Sequence, residues 1–591
     1  MNIAILMLIT IPVFWLAYRN YGKYLEKVLG VDDSRQTPAV TMRDDFDYVP
    51  TKTGVVFSHH FSAIAGAGPI IGPTVALIFG YIPVWLWVVL GGVFIGAVHD
   101  FTALFVSIRE KGKSMAEVAN TTLGRTGFLL FISFTIALLI LVTSSFLQLT
   151  ATSLGSIVPL KDLGLEAGKT ALHVVDRGGV PYAQLGGIAS MSVIVLTLFA
   201  PLLGWLLFKK NINIILGSIL AIVIGAFSIG LGIYFPVTLK PELWMILLSI
   251  YTLLAAGIPV WALLQPRDFV NSFILYIGIV GLIVGIFGGG LLGIKLAAPA
   301  FNLAEGTKIG GAIWPFLFIT VACGAISGFH ALVAGGTVSK QVSRERDIRP
   351  IGYGAMLVES LLAAGVIMAI AGGLNYETYR NIVFPTVAGV KSNPVLAFSL
   401  AVGGLLKKSI GIPVSAGTVF GILMVEGFVV TTLDAAVRLN RYLFEELWSV
   451  LFKNPPKILK SYLFNAGLAV ALMLYFGWNN LFTLIWPIFG SANQLLAALS
   501  LIAVSAWLAS KKKPAWFTII PAIFMMVTTL WSLFTLLFTK YLPLKNIPLT
   551  VTDIVLIFLG IGVIFMGISK LLALRKAPAG TLEAAATSEK N

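Results

Sequence analysis

Charge is what this sequence has least of. Asp, Glu, Lys and Arg make up only 11% of its 591 residues, whereas soluble domains carry about 25%. So thin a supply cannot cover a water-facing surface, which excludes a soluble enzyme and a disordered chain. A single cysteine, Cys323, excludes an intrachain disulfide and any multi-cysteine metal site. No His-Glu-x-x-His segment is present, so a zinc protease of that type is unsupported. The nearest approach to a phosphate loop is Gly164-Leu165-Glu166-Ala167-Gly168-Lys169-Thr170, with three residues between its glycines where the motif has four. ATP is therefore not expected as a ligand, and any pumping must draw on an ion gradient. What fills the chain is apolar: 58% of residues are hydrophobic and mean hydropathy is +0.93. Long apolar runs imply a helical membrane protein embedded in a lipid bilayer. The net charge of +15 then reads as cytoplasmic lysine and arginine, not as affinity for nucleic acid.

Fifteen apolar segments are candidate spans: 2–18, 53–80, 82–108, 127–150, 187–208, 212–235, 242–264, 270–297, 310–338, 351–372, 414–437, 461–477, 481–508, 515–538 and 550–570. Each is long enough to cross about 30 Å of hydrocarbon at 1.5 Å per residue. The fourteen-residue run 393–406 is expected to be re-entrant or interfacial. With the N-terminus outside and the C-terminus cytoplasmic, 29 Lys and Arg fall on the inner side and 11 outside, the sign that topology requires. Segment 2–18 lacks a basic leader and is followed by Arg19 and Lys23, so a retained anchor is expected. The tail after Arg575 is rich in Ala, Thr and Glu and is expected to be disordered.

Two glycine-proline clusters interrupt the apolar pattern. Ala65-Gly66-Ala67-Gly68-Pro69 lies inside 53–80, and Ala255-Ala256-Gly257-Ile258-Pro259 lies inside 242–264. The two host spans run in opposite directions through the bilayer under this topology. Freed backbone groups are tolerable in lipid only where they meet protein, ligand or water. Paired interrupted segments therefore point to a transporter binding site, with half-helix N-termini facing an anionic substrate. The alternative is that small residues simply permit close helix packing. Gly66, Ala67, Gly68, Pro69, Gly257 and Pro259 are thus candidate substrate-site positions, joined by Ser327, Asn493 and Gln494.

Four of the five histidines fall inside spans. His59, His60, His99, Asp100, His330 and Glu359 all lie about 9–14 Å from the inner interface at 1.5 Å per residue, so they can meet in one layer. Ionisable groups in spans are costly and usually functional. Two chemistries fit. His60, His99, Asp100, His330 and Glu359 could relay protons, since histidine titrates near neutrality. Alternatively His59, His60, His99, Asp100 and His330 could hold a zinc- or iron-like divalent ion. Glu426 and the Ser144-Ser145-Gln148 group are further polar residues near mid-span.

Several segments resemble the carbon starvation protein A (CstA) family. They are Ser58-His59-His60-Phe61-Ser62 through Gly68-Pro69 and Gly72-Pro73, then Gly96-Ala97-Val98-His99-Asp100-Phe101 and Gln265-Pro266-Arg267-Asp268-Phe269. Cys323-Gly324-Ala325-Ile326-Ser327-Gly328-Phe329-His330, Thr431-Thr432-Leu433-Asp434 with Arg438-Leu439, and Phe489-Gly490-Ser491-Ala492-Asn493-Gln494-Leu495-Leu496 complete the set. The resemblance implies a bacterial or archaeal cytoplasmic-membrane carrier, not an enzyme. It implies uptake of a small carboxylate such as pyruvate, or of short peptides, during carbon starvation, with proton coupling in some members. It also implies the amino acid–polyamine–organocation superfamily and its LeuT-like core. The expected fold is an all-α polytopic membrane protein of about 15 transmembrane helices (range 14–18) holding a LeuT-like 5+5 inverted repeat with broken helices. The expected divisions are 1–52 as anchor and cytoplasmic loop, 53–236 and 242–437 as the two repeats, 461–570 as additional helices, and 571–591 as a disordered cytoplasmic tail. In that scheme 53–80 is core helix one, 242–264 core helix six and 310–338 core helix eight.

Overall fold

A computed structural model describes residues 1–44, 48–166, 168, 170, 172–210, 212–259, 262–387, 390–479 and 482–576. Among the described residues eleven helices are long and apolar enough to cross a membrane, or twelve if the bent pair Thr53–Ile64 and Gly68–Phe79 is one span. Among these described residues the fold is all-α apart from one small antiparallel sheet, Val158–Pro159, Val174–Arg177 and Val180–Ala183. Gly178 and Gly179 turn its hairpin, both with positive φ, as a two-residue connection of that type requires.

Three of the fifteen expected spans account for the difference in number. Segment 242–264 yields only the fifteen-residue helix Pro241–Ala255. Segment 310–338 is cut into Ile313–Thr320, Ala322–Ala325 and Gly328–Gly336. Segment 461–477 forms Tyr462–Asn479, which is not among the helices that pass for a span. The run at 393–406 forms the helix Pro394–Ile410, largely buried against its neighbours. The last helix, Ile547–Lys576, runs past residue 571, so the expected start of the tail moves outward; residues 577–591 lie outside the described residues.

Burial sorts the helices into centre and periphery. The apolar windows of Phe482–Ser510 and Glu345–Gly373 are 94% and 89% buried, against 28% for Ala4–Leu29 and for Ile215–Tyr234. The first pair forms the protein's centre; the second shows apolar side chains outward, as lipid-facing helices do. Met115–Leu154 begins with a capping box, Ser114 and Glu117 satisfying each other's backbone amides.

Two broken helices lie side by side and antiparallel at the centre. The first stops at Ile64, where Ala65 leaves helical geometry, and resumes at Gly68 after a 42° bend. Pro69 suits the first turn of the resumed half, where its missing N–H costs nothing. The second broken helix is 313–336. It leaves helical geometry at Val321 and again at Ile326 and Ser327, which are fully extended. Glycines let the two breaks touch. A Cβ on Gly68 would collide with the Cβ and Sγ of Cys323, and one on Gly72 would come within 2.9 Å of the Thr320 carbonyl.

The partner of the first break is therefore not the 255–259 cluster. There the helix Pro241–Ala255 simply ends, and Gly257 and Pro259 are exposed. The Arg438 guanidinium donates to the Ala255 carbonyl at 2.7 Å and also to that of Ile258, while Arg441 donates to Ala256 at 3.3 Å. Two cations on the free carbonyls of a helix C-terminus make a stable stop.

Segments 26–36 and 49–51 pack onto 337–349, the connection that follows the second broken helix. Arg109 pairs with Glu345 at 2.7 Å, and Glu345 also accepts the Asp32 amide at 2.9 Å. Arg346 pairs with Asp33 at 3.0 Å and Arg349 with Glu26 at 2.9 Å.

Candidate functional site

The breaks flank a narrow pocket lined by Gly66, Gly68, Cys323, Thr432 and Asn493, with Phe146, Phe329 and Phe489 as aromatic walls. Gly66 approaches Thr432 so closely that a Cβ would lie 2.9 Å from its hydroxyl. Asn493 holds the second break open. Its Oδ1 accepts the Phe329 amide at 3.1 Å, and its Nδ2 donates to the Ser327 hydroxyl at 3.0 Å and to the Cys323 sulfur at 3.7 Å. The next residue, Gln494, donates to the Phe318 carbonyl at 2.7 Å and to that of Val321 at 3.4 Å. Two side chains of one intact helix thus replace hydrogen bonds that the broken helix gives up. Leaving such groups unpaired costs about 1–3 kcal/mol each.

Behind Cys323 lies a buried chain of ionisable groups. Asp100 sits between two imidazoles: Nδ1 of His99 is 2.8 Å from its Oδ1, and Nδ1 of His330 is 2.8 Å from its Oδ2. A carboxylate accepts, so both rings turn their Nδ1–H towards it. The opposite nitrogen of His330, Nε2, stands 3.4 Å from Glu359 Oε2. All four residues are at most 1% exposed. With Nδ1 committed to Asp100, the space between Nε2 and Glu359 can carry one proton on either atom. Neither Glu359 oxygen accepts a well-formed hydrogen bond, so the pair is not locked into one arrangement.

Ligand atoms of Cys323, His330 and Glu359 lie within 4.8 Å of one another. A buried thiol, imidazole and carboxylate at that spacing are capable of coordinating a divalent metal. This differs from the five residues expected for a metal, with only His330 in common. His99 and His330 spend their Nδ1 atoms on Asp100, His60 is fully buried with both nitrogens unpartnered, and His59 is only half-buried.

Of the expected substrate positions, Gly66, Gly68 and Asn493 line the pocket. Ala67 and Pro69 are buried in the bend, Ser327 bonds Asn493, and Gln494 caps the broken backbone. Gly257 and Pro259 are not among the lining residues. Cys323 and Thr432, which are, stand in the recognised motifs, but nothing in a linear motif says which way a side chain faces.

At one end of the first broken helix, Asn302 takes the Ile78 carbonyl at 3.0 Å and Glu305 at 3.0 Å, and Arg380 pairs with Glu305 at 3.1 Å. The Asn302 amide, then the Arg380 guanidinium, hold the Glu305 carboxyl below its ordinary range. Burial, reinforced by Glu305, pushes the Tyr376 hydroxyl up to about 12. Tyr379 donates to the Thr74 carbonyl at 2.8 Å, tying the same segment to the helix.

A family profile described as "Carbon starvation protein CstA" matches residues 2–389 and 375–532. The chain is 33% identical over 565 residues to "Peptide transporter CstA" of Bacillus subtilis (strain 168), covering 88% of each chain. It is 30% identical over 596 residues to "Pyruvate/proton symporter BtsT" of Escherichia coli (strain K12), covering 87% of this chain and 79% of that one. Among solved structures, a mutant manganese transporter of Eremococcus coleocola aligns with a TM-score of 0.46 at 10% identity, covering 90% of this chain and 99% of that one.

Proposed function

From the premise that this chain belongs to the carbon starvation protein CstA family, we propose that it imports a small carboxylate such as pyruvate, or short peptides, driven by protons. The observation that carries the coupling is the buried series that starts beside Cys323 at the pocket wall, with Glu359 3.4 Å from His330 Nε2, and His330 and His99 both bonded to Asp100. The amide end of the resumed half-helix at Gly68, which lines the pocket, suits a substrate carboxylate. Protonation between His330 and Glu359 changes the charge next to the pocket, so occupancy by proton and by anionic substrate favour each other. Charge complementarity of this kind is a coupling free energy, and it is reciprocal. The reading places the protein in the cytoplasmic membrane with the N-terminus outside and the C-terminus inside. The antiparallel breaks at 64–68 and 321–327 are taken as the related elements of a LeuT-like inverted repeat, with 313–336 in the role first expected of 242–264. The divisions 53–236 and 242–437 would shift accordingly.

The test is uptake of labelled pyruvate and of a labelled dipeptide into proteoliposomes, with and without a proton gradient. Stimulation by an inward gradient in the wild type, lost in Asp100→Asn and His330→Gln while substrate exchange persists, is the expected result. Gradient-driven uptake at wild-type rates in both variants would refute the relay.

The Cys323–His330–Glu359 cluster supports a second reading, in which a zinc- or iron-like ion sits beside the pocket. Elemental analysis separates the two. One metal per chain, with uptake abolished by chelation at constant pH, would replace the proton reading.

A further inference from the structure

We propose that a second cavity, between the helices Leu185–Gly204, Leu264–Leu291 and Val414–Leu451, binds a small monovalent cation through the Glu426 carboxylate and the side-chain oxygen of Asn271. The cavity is narrow, and Ser192, Arg267, Asn271 and Glu426 are its polar lining. Glu426 is 0% exposed and neither of its oxygens accepts a hydrogen bond, with the Ser153 hydroxyl as its polar neighbour. Asn271 has its amide oriented by donation from Nδ2 to the Gly427 carbonyl at 3.0 Å. Its Oδ1 has no donor. Two buried acceptors short of a donor therefore share one cavity.

The cation already in the wall is engaged elsewhere through its terminal nitrogens. The Arg267 guanidinium pairs with Asp434 at 2.7 Å and donates to Thr431 at 3.2 Å, and Asp434 also accepts the Tyr251 hydroxyl at 2.8 Å. Asp268 and Arg438 complete the charges of that node. Glu426 is the carboxyl left without an ion-pair partner, and its charged form is strongly disfavoured there unless a cation joins it. An all-oxygen donor set selects a hard cation. One carboxylate beside a guanidinium favours a single positive charge over two. A free alkali ion or the ammonium end of a small amine supplies the same chemistry, and the size of the cavity decides between them.

The site goes beyond the proton relay and is separate from it. Thr432 of the helix Val414–Leu451 faces the central pocket, while Glu426, Gly427 and Val430 of the same helix face the second cavity. One helix thus forms a wall of both, so a bound cation acts on an element that also shapes the substrate site.

The test measures binding without transport. The melting temperature of the full-length protein in nanodiscs is followed while choline chloride is replaced by sodium chloride or by methylammonium chloride at constant ionic strength. A saturable rise with sodium supports an alkali-ion site, and a saturable rise with methylammonium supports an amine site. Glu426→Gln should raise the half-saturating concentration at least about tenfold, and Asn271→Ala in the same direction by less. No saturable rise with either salt in the wild type overturns the proposal, whatever the variants do. So does an unchanged response in Glu426→Gln. If Glu426→Gln fails to assemble, Asn271→Ala decides: an unchanged half-saturating concentration there also overturns it.

Discussion

Adding one methyl group at Gly68 tests whether the two broken helices meet as described. A Cβ built there lies well under 3.0 Å from both Cβ and Sγ of Cys323, and the next nearest atom is the Cys323 Cα at 3.6 Å. Gly68 is not among the glycines with positive φ, so alanine meets a steric obstacle and not a backbone one. The Cβ of Cys323 is fixed to its backbone and cannot rotate away. Overpacking of this kind costs about 1–3 kcal/mol. Cys323→Gly removes both colliding atoms and leaves the 3.6 Å contact, which is ordinary packing. Glycine in that short helical turn costs about 0.5–1 kcal/mol of its own. The four proteins, wild type, Gly68→Ala, Cys323→Gly and the double variant, form a cycle read by melting temperature in nanodiscs and by uptake in proteoliposomes. Gly68→Ala should lower both in the wild-type background and be nearly neutral in the Cys323→Gly background. The coupling should recover most of the 1–3 kcal/mol, within the range for residues in contact. Equal effects of Gly68→Ala in the two backgrounds would refute the close approach of the breaks.

Asn493→Ala should destabilise the protein by about 1–3 kcal/mol, because the Phe329 amide and the Ser327 hydroxyl lose their partner; its melting temperature reports the loss. Asp100→Asn should keep assembly but lose gradient-driven uptake, since a neutral amide cannot serve as anion to both His99 and His330; proton-driven uptake compared with substrate exchange measures this. The cluster at Asn302, Glu305 and Arg380 has a defined pH dependence. The Glu305 carboxyl is held below its ordinary 4.5, so its contribution is fully present above that value and is lost as pH falls through the depressed one. Amide-exchange protection of Leu303–Gly310 should therefore drop on acidification below that range, and Glu305→Gln should abolish the drop.

The first break was legible because its cause is local. Gly66, Gly68 and Pro69 weaken the helix whatever surrounds them. The second break has no proline at its centre. Its cause lies on another helix, in Asn493 and Gln494, whose side chains take over the backbone groups from Phe318 to Phe329. A linear reading marked these two residues as candidate ligands because it could not see what they bond. The same limit explains the 255–259 cluster, which has the composition of a mid-membrane break. The arginines that make it a helix end are about 180 residues further along the chain.

Scarce charge and long apolar runs by themselves determined that this is a helical membrane protein, because burial in lipid depends on composition summed over about 20 residues. The histidine layer was also legible, since a rise of 1.5 Å per residue converts position into depth. Which rings turn towards Asp100 was not, because it depends on rotation about helix axes and on a contact between residues 230 apart. Tertiary packing alone decided that 313–336 pairs with the first break, that Cys323 stands between the pocket and the His330–Asp100 cluster, and that Glu426 faces a cavity of its own. Each of these follows from side-chain direction and close backbone approach, and neither quantity is carried by the order of residues along a single helix.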